Sequence, residues 1–306
     1  MKKVFIDGSA GTTGLRIYER LSTRNDVEII KLPEELRKDI SARKQAINSA
    51  DVAILCLPDQ ASIEAVSLVD NPDTVIIDTS TAHRTADGWT YGFPELYDDK
   101  ELVAKSKRIA NPGCHASGFI AIVYPLIKKG LISKDTALTC FSLTGYSGGG
   151  KNMIAEYEGA DRNLLLDAPR QYGLSQSHKH LPEMKKVCGL TIEPIFCPIV
   201  GDFKCGMEVS VPLFKKDVKG DMNAVKEVYK SFYKGKLVGY SDDNENGFLS
   251  ANAFSGKDNL VITVGGNDDR MVVTARFDNL GKGASGAAIQ NLNLVLGKCE
   301  EFELEI

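Results

Sequence analysis

The sequence predicts an α/β protein in two parts, a parallel sheet followed by an α+β region whose sheet is antiparallel or mixed. Three observations carry that prediction. The first 110 residues alternate short apolar runs with helical patterns, the strands after about residue 130 alternate apolar with polar, and 306 residues exceed what one small core organises.

Lys3 to Asp7 is the first short strand. It runs into Gly8-Ser9-Ala10-Gly11-Thr12-Thr13-Gly14 and then a helical pattern from Leu15 to Leu21. Strand, glycine turn and helix form the setting of a dinucleotide site, where glycines let a pyrophosphate approach the backbone and the helix N-terminus faces it. The spacing is G-x-x-G-x-x-G rather than the strict fingerprint, so a ligand-free turn stays open. Val27 to Ile30, Ala50 to Leu57 and Thr74 to Asp78 are the next strands, with a helix from Gln60 to Val69 behind Pro58. Buried strands alternating with helices make a Rossmann-like parallel sheet, whose ligands sit at the carboxyl ends of the strands. The loops from Cys56 to Gln60, Asp78 to Arg84 and Asn111 to Cys114 fall at such ends.

Ala110-Asn111-Pro112-Gly113-Cys114-His115-Ala116-Ser117-Gly118 precedes an apolar helical pattern from Phe119 to Lys129. This spacing places the Cys114 thiol at a helix N-terminus, where orphan N–H groups and the helix dipole favour thiolate, the nucleophilic form. The alternative is a small buried hydrophobe, the commonest state of a free cysteine. Further on, Met207 to Leu213 alternates apolar and polar. Asn259 to Val264 and Met271 to Phe277 flank Gly265-Gly266-Asn267-Asp268-Asp269 as a hairpin. Such a sheet has one face to cover, and a second subunit is a candidate cover. Ala284 to Gly297 is the last helix.

Composition narrows the partners. Hydrophobic residues are 43% and charged residues 25%, with net charge −4, so nothing draws the chain to nucleic acid or an anionic membrane. No apolar run reaches the ~20 residues of a membrane span. Seven cysteines without C-x-x-C spacing argue against a disulfide framework, and the expected compartment is the cytoplasm.

Candidate chemistry gathers at a few positions. His178-Lys179-His180 places two imidazoles at i, i+2, which on an extended segment face one side; imidazole moves protons near neutral pH. A metal pair would need further ligands, and only Cys188 is near, so no metal site is expected. His115 follows Cys114, but adjacent helical residues point apart, which makes it structural rather than the base. Ser147-Gly148-Gly149-Gly150-Lys151 is either an anion site, with Ser147 and Lys151 meeting phosphate, or a surface loop. Arg84 presents a fork suited to carboxylate or phosphate, or is a solvated arginine. Glu34 and Glu35 lie near the distance at which an acid holds the ribose of NAD, but beyond Pro33; Ser9, Thr12, Thr13 and Lys31 suit a 2′-phosphate instead.

Seven segments, in order, carry a family resemblance: Gly8 to Gly14, Asp78-Thr79-Ser80-Thr81-Ala82-His83-Arg84, Tyr91-Gly92-Phe93-Pro94-Glu95-Leu96, Asn111-Pro112-Gly113-Cys114, Ser147 to Lys151, His178-Lys179-His180-Leu181-Pro182-Glu183, and Asp278 to Gly286. Across nearly its whole length the chain resembles the N-acetyl-gamma-glutamyl-phosphate reductases, and Ala168-Pro169-Arg170 followed by Tyr172 resembles their shorter form. The resemblance implies NADP-dependent reductive dephosphorylation of N-acetyl-L-glutamyl 5-phosphate to the semialdehyde, a step of arginine biosynthesis, through a thioester on Cys114. It also implies His178 and His180 as the catalytic histidines, their roles unassigned, and Arg84 as the substrate-contacting arginine. Gly8, Ser9, Gly11, Thr12, Thr13, Gly14 and Asn279 are then the cofactor contacts. An NADP domain of residues 1–115 and 283–306, a catalytic and subunit-contact domain of 116–282, and a homo-oligomer, dimer or tetramer, follow. Aspartate-semialdehyde dehydrogenase shares the fold logic and thiol chemistry, but His178 to Glu183 and Asn-Pro-Gly-Cys argue against it. A catalytically silent NADP-binding sensor would leave Cys114 dispensable.

Overall fold

Runs such as Val52–Leu55 and Val75–Asp78 are buried along their whole length, which a strand achieves only with both faces of its sheet covered. The computed structural model describes residues 1–306 as two units, Met1–Gly113 with Ala284–Leu304, and Cys114–Gly283 with Glu305–Ile306.

The first unit holds β1 (Lys2–Asp7), α1 (Thr12–Leu21), β2 (Val27–Ile30), α2 (Ile40–Ser49), β3 (Val52–Leu55), α3 (Asp59–Ser67), β4 (Val75–Asp78), β5 (Thr90–Tyr91), α4 (Glu101–Ala104), β6 (Arg108–Ala110) and the last helix, α9 (Gly286–Val295). Its sheet runs β2-β1-β3-β4-β6-β5 with every pairing parallel. Val4, Ile6, Ile54 and Ile77 pack with Ile17 of α1 and with Ala288, Ile289 and Leu292 of α9. Phe5, Ala53, Leu55 and Ile76 pack on Ala46, Ile47 and Ala65 on the other face. The last helix is thus core of the first unit. Its buried Asn291 donates to the Gly92 carbonyl and to Asn111 Oδ1, while Asn111 donates to the Ala284 carbonyl. The asparagine of Asn-Pro-Gly is therefore a clamp on β6.

The second unit holds α5 (Cys114–Lys128), β7 (Thr139–Gly145), α6 (Gly150–Glu158), β8 (Arg170–Gln171), α7 (Leu181–Cys188), β9 (Ile195–Gly201), β10 (Met207–Phe214), α8 (Met222–Phe232), β11 (Val238–Tyr240), β12 (Leu260–Gly266) and β13 (Arg270–Phe277). The sheet is mixed, in the order β11-β12-β13-β10-β7-β9-β8: β11 with β12 and β7 with β9 pair parallel, the rest antiparallel. The expected hairpin is β12–β13, closed by reciprocal backbone hydrogen bonds between Asn267 and Arg270.

Helix α5 is buried almost all round and lies against one face of this sheet. Contact is close because Gly118 has no side chain; a Cβ there would stand 2.5 Å from a Val209 methyl and 2.9 Å from the Phe277 ring. The helix also contains Pro125, and the Tyr229 and Tyr233 hydroxyls donate to the carbonyls of Ile122 and Ala121, both at 2.9 Å. On the opposite face of the sheet Phe141, Ile195 and Val272 stay exposed. No helix is long and apolar enough to cross a membrane.

Candidate active site

Cys114 is the first residue of α5. None of the seven cysteines is in a disulfide, and Cys114 is half-buried, whereas Cys140 and Cys188 are buried with thiols pushed far up by desolvation. Gly283 leaves room for it: a Cβ at that position would lie 2.9 Å from Cys114 Cβ.

Beside Cys114 the second unit gathers a cluster of rings. His115 turns inward, 4% exposed, and bridges two hydroxyls: Nδ1 to Ser142 Oγ at 2.6 Å and Nε2 to Tyr172 Oη at 2.7 Å. Its ring centroid is 5.8 Å from that of His178, 5.5 Å from that of His180 and 5.2 Å from that of Phe196. His178 and His180 stand 4.8 Å apart. The i, i+2 pair does converge, although the segment turns instead of running extended: His180 is the helical N-cap of α7 and its N–H reaches back to His178 Nδ1 at 3.3 Å. Burial, with the charge of His178 second, drives His115 down to about 3, so it is neutral at physiological pH. Burial also lowers His178, aided by Lys179. The Tyr172 phenol is pushed up by burial first and then by the charge of Cys114. No three His, Cys, Asp or Glu side chains converge as metal ligands.

The other candidate residues divide between the units. In the second, the Ser147 to Lys151 run is no loop: a 3-10 turn, Tyr146–Gly149, leads into α6. Ser147 is buried, accepting from Asn279 Nδ2 at 3.0 Å and contacting Cys205 Sγ at 3.4 Å. Asn279 also accepts from the Gly206 N–H at 2.9 Å. Both side chains thus tie β7, β10 and β13 together at one end, and only Lys151, exposed on the first turn of α6, points to solvent.

In the first unit, Arg84 donates from Nε to the Asn111 carbonyl and from Nη2 to the Thr79 carbonyl, each at 2.9 Å, joining the loops after β4 and β6. Behind it Asp78, wholly buried, accepts from Ser62, Ser80 and the Ser80 N–H and faces His83 Nδ1 at 2.6 Å.

The glycine turn is tightly wound. Gly8 has φ +84°, and a Cβ there would collide with the Cys56 carbonyl; one at Gly14 would collide with the Gly8 carbonyl. Helix α1 opens on Gly11 with no side-chain cap and no acidic residue in its first turn, so its first N–H groups face outward beside Thr12 and Thr13. Ser9 is half-buried in the same turn.

Sequence reading missed Tyr172 and Ser142 and set His115 aside. The one available signal was the Tyr172 to His178 spacing within the quoted motifs; Ser142 comes from a strand nearly thirty residues away.

Comparison with known proteins gives the family of the chain. Residues 34–104 match the semialdehyde dehydrogenase NAD binding domain and residues 114–279 its dimerisation domain. The chain is 43% identical to N-acetyl-gamma-glutamyl-phosphate reductase 2 of Nostoc, with 99% of each chain covered, and 44% identical to the reductase of Brucella ovis, covering 97% and 99%. Among solved structures, aspartate semialdehyde dehydrogenases of Vibrio cholerae and Francisella tularensis superpose with TM-scores of 0.72 and 0.73 at 16% and 15% identity. They cover 97% of this chain and 98% and 100% of their own, which is a likeness of fold. The chain therefore belongs to the semialdehyde dehydrogenase family, among its N-acetyl-gamma-glutamyl-phosphate reductases.

Proposed function

We propose that the chain catalyses NADPH-dependent reduction of N-acetyl-L-glutamyl 5-phosphate to N-acetyl-L-glutamate 5-semialdehyde, with release of phosphate, in arginine biosynthesis. The observation that carries this is Cys114 at the N-terminus of a buried helix beside an imidazole and phenol cluster, in a chain 43% identical to such reductases. The Cys114 sulfur attacks the acyl carbon, its bond to the phosphate oxygen breaks, and a thioester remains on the protein. One of His178 and His180 takes and returns the proton, and the other orients the substrate. Arg84 and Lys151 are the cations offered to the substrate's anionic groups. Ser147 and Asn279 support the end of the sheet.

The residues of the first unit fit a nicotinamide dinucleotide. Gly8 and Gly14 permit the tight turn and its close packing, Gly11 leaves the backbone open to a pyrophosphate, and Ser9, Thr12 and Thr13 are hydroxyl partners. When bound, the nicotinamide supplies the hydride that turns the acyl group into an aldehyde. NADP is favoured over NAD at β2, which ends at Ile30 and is followed by Lys31, exposed and 5.1 Å over the Tyr18 ring; Glu34 and Glu35 stand past Pro33 in a separate turn. The first unit is thus the NADP-binding domain, and the second is the catalytic and subunit-contact domain. Phe141, Ile195 and Val272 on the open face of its sheet are the surface a second copy covers, giving a homodimer in the cytoplasm.

The test is phosphate-dependent NADP reduction with N-acetylglutamate semialdehyde. Activity in the native chain, lost in Cys114→Ala and Cys114→Ser with NADP binding retained, supports the reading. Activity surviving in Cys114→Ala overturns the thioester route, and turnover of aspartate semialdehyde alone overturns the substrate.

A further inference from the structure

Asp78, the last residue of β4, has no exposed surface and gathers the loop that follows it. Its Oδ1 accepts from Ser62 Oγ of α3 at 2.6 Å and from the Ser80 N–H at 2.9 Å. Its Oδ2 meets Ser80 Oγ at 2.7 Å and His83 Nδ1 at 2.6 Å. A carboxylate only accepts, so the Ser80 hydroxyl and His83 Nδ1 both donate, and Nδ1 carries a proton. The His83 ring also stacks on Trp89, with centroids 4.1 Å apart and 16° between planes, and Trp89 packs on the core of Phe5, Leu55 and Ile76. Thr81 gives its N–H and hydroxyl to Asp59, the first residue of α3, and Thr79 gives its hydroxyl to the Leu55 carbonyl. Residues 79, 80, 81 and 83 are thus each bonded to β3, β4 or α3 before the chain reaches Arg84.

We propose that Asp78 and His83 are positioning residues for the substrate. They fix the loop from Thr79 to Arg84 before a ligand arrives, so that the Arg84 guanidinium, held by the Thr79 and Asn111 carbonyls, meets an anionic group in a set plane. This rests on Arg84 being the substrate-contacting cation. Both residues act through Arg84 and not on the substrate itself. The gain is entropic: a free loop and a long arginine side chain lose backbone and rotamer freedom on binding, whereas a loop ordered during folding has lost it already. The Thr79 carbonyl joins the two parts. It accepts from Arg84 and belongs to the residue directly after Asp78, so a loop released from Asp78 takes the support of the guanidinium with it.

Three measurements on the full-length protein test this. Long-range proton–nitrogen NMR on histidine-labelled protein, where only four histidines contribute, should show a protonated His83 Nδ1; a bare Nδ1 overturns the bond to Asp78. His83→Phe keeps a ring on Trp89 and removes the donor. Amide exchange across residues 79–84, read by mass spectrometry, should then quicken about tenfold, and unchanged exchange overturns the lock. Kinetics connect the lock to the substrate. His83→Phe should raise the KM for N-acetylglutamate semialdehyde about five- to tenfold, the equivalent of one net hydrogen bond, with kcat, the KM for NADP and the alkylation rate of Cys114 within about twofold. His83→Gln, whose amide can donate to Asp78, should recover part of that loss. In an Arg84→Ala background His83→Phe should add less than about twofold, because the group it positions is gone. A full further loss there, or a fall in kcat at unchanged KM, overturns the positioning role. If Arg84→Ala alone leaves that KM unmoved, Arg84 is not the contact and both readings fall; if Arg84→Ala raises it and His83→Phe does not, this proposal falls alone.

Discussion

Removing the Tyr233 hydroxyl isolates a bond on which α5, the helix that begins at Cys114, depends. Pro125 has no N–H, so the carbonyl of Ala121, four residues earlier in α5, receives nothing from its own helix. Tyr233 fills that vacancy at 2.9 Å, and Ala121 is 0% exposed, so no water can replace it. Tyr233→Phe keeps the ring and orphans a buried acceptor, which destabilises by about 1 to 3 kcal/mol. In Pro125→Ala the new backbone N–H reaches the same carbonyl. Tyr233→Phe in that background then costs about 1 kcal/mol less, the difference being the coupling between the two sites. The assay is urea unfolding of the four proteins at one protomer concentration, since an oligomer's stability depends on it. Equal losses in both backgrounds would refute the reasoning, because the hydroxyl would then be doing something other than replacing the proline's missing donor.

Three further outcomes follow from the same geometry. Gly283→Ala sets a methyl against Cys114; alkylation of Cys114 and turnover should both fall at least tenfold while NADP binding, by fluorescence titration, stays within about twofold, and unchanged alkylation would contradict the close approach. Gly14→Ala sets a methyl against the Gly8 carbonyl; NADP affinity should drop at least tenfold, with the alkylation rate of Cys114 as the control that should not change. His115 has its folded-state pKa depressed to about 3 from an ordinary 6.5. The unfolded chain therefore binds the proton first, and stability should be full above pH 6.5 and fall as pH drops from there toward 3, by up to about 1.4 kcal/mol per pH unit. His178, lowered in the same sense, adds to it. Urea midpoints at pH 7 and pH 5 should differ less in His115→Gln than in the native chain, and an equal difference would show that His115 is not the group responsible.

The parallel sheet was legible because burial on both faces leaves its mark in uninterrupted runs such as Val52 to Leu55, and the second sheet because burial on one face makes Met207 to Leu213 alternate. Cys114 was legible for a local reason, since a turn and the helix after it are contiguous in sequence. Contacts between distant segments were not. Ser147 looks like half of an anion site when read beside its glycines, yet its hydroxyl serves Asn279 from the far end of the unit. Arg84 likewise reads as a substrate fork, while the structure shows much of that fork holding the carbonyls of Thr79 and Asn111. His115 was discounted on the sound ground that helical neighbours diverge. Divergence from Cys114 is what carries it inward to the hydroxyls of Ser142 and Tyr172.

The chain leaves the first unit at Gly113 and returns to it at Ala284, and this has a consequence for how the protein is made. A ribosome delivers residues in order, and domains emerging from it tend to fold as they are completed. Here the first unit cannot be completed on emergence, because α9, with Ala288, Ile289 and Leu292 against Val4, Ile54 and Ile77, is synthesised only after residues 114–283 of the second unit. The second unit has nearly all of its residues first. The nascent first unit therefore waits with an apolar flank uncovered for the time it takes to translate about 170 residues, and it is the stage of synthesis at which a chaperone has something to hold.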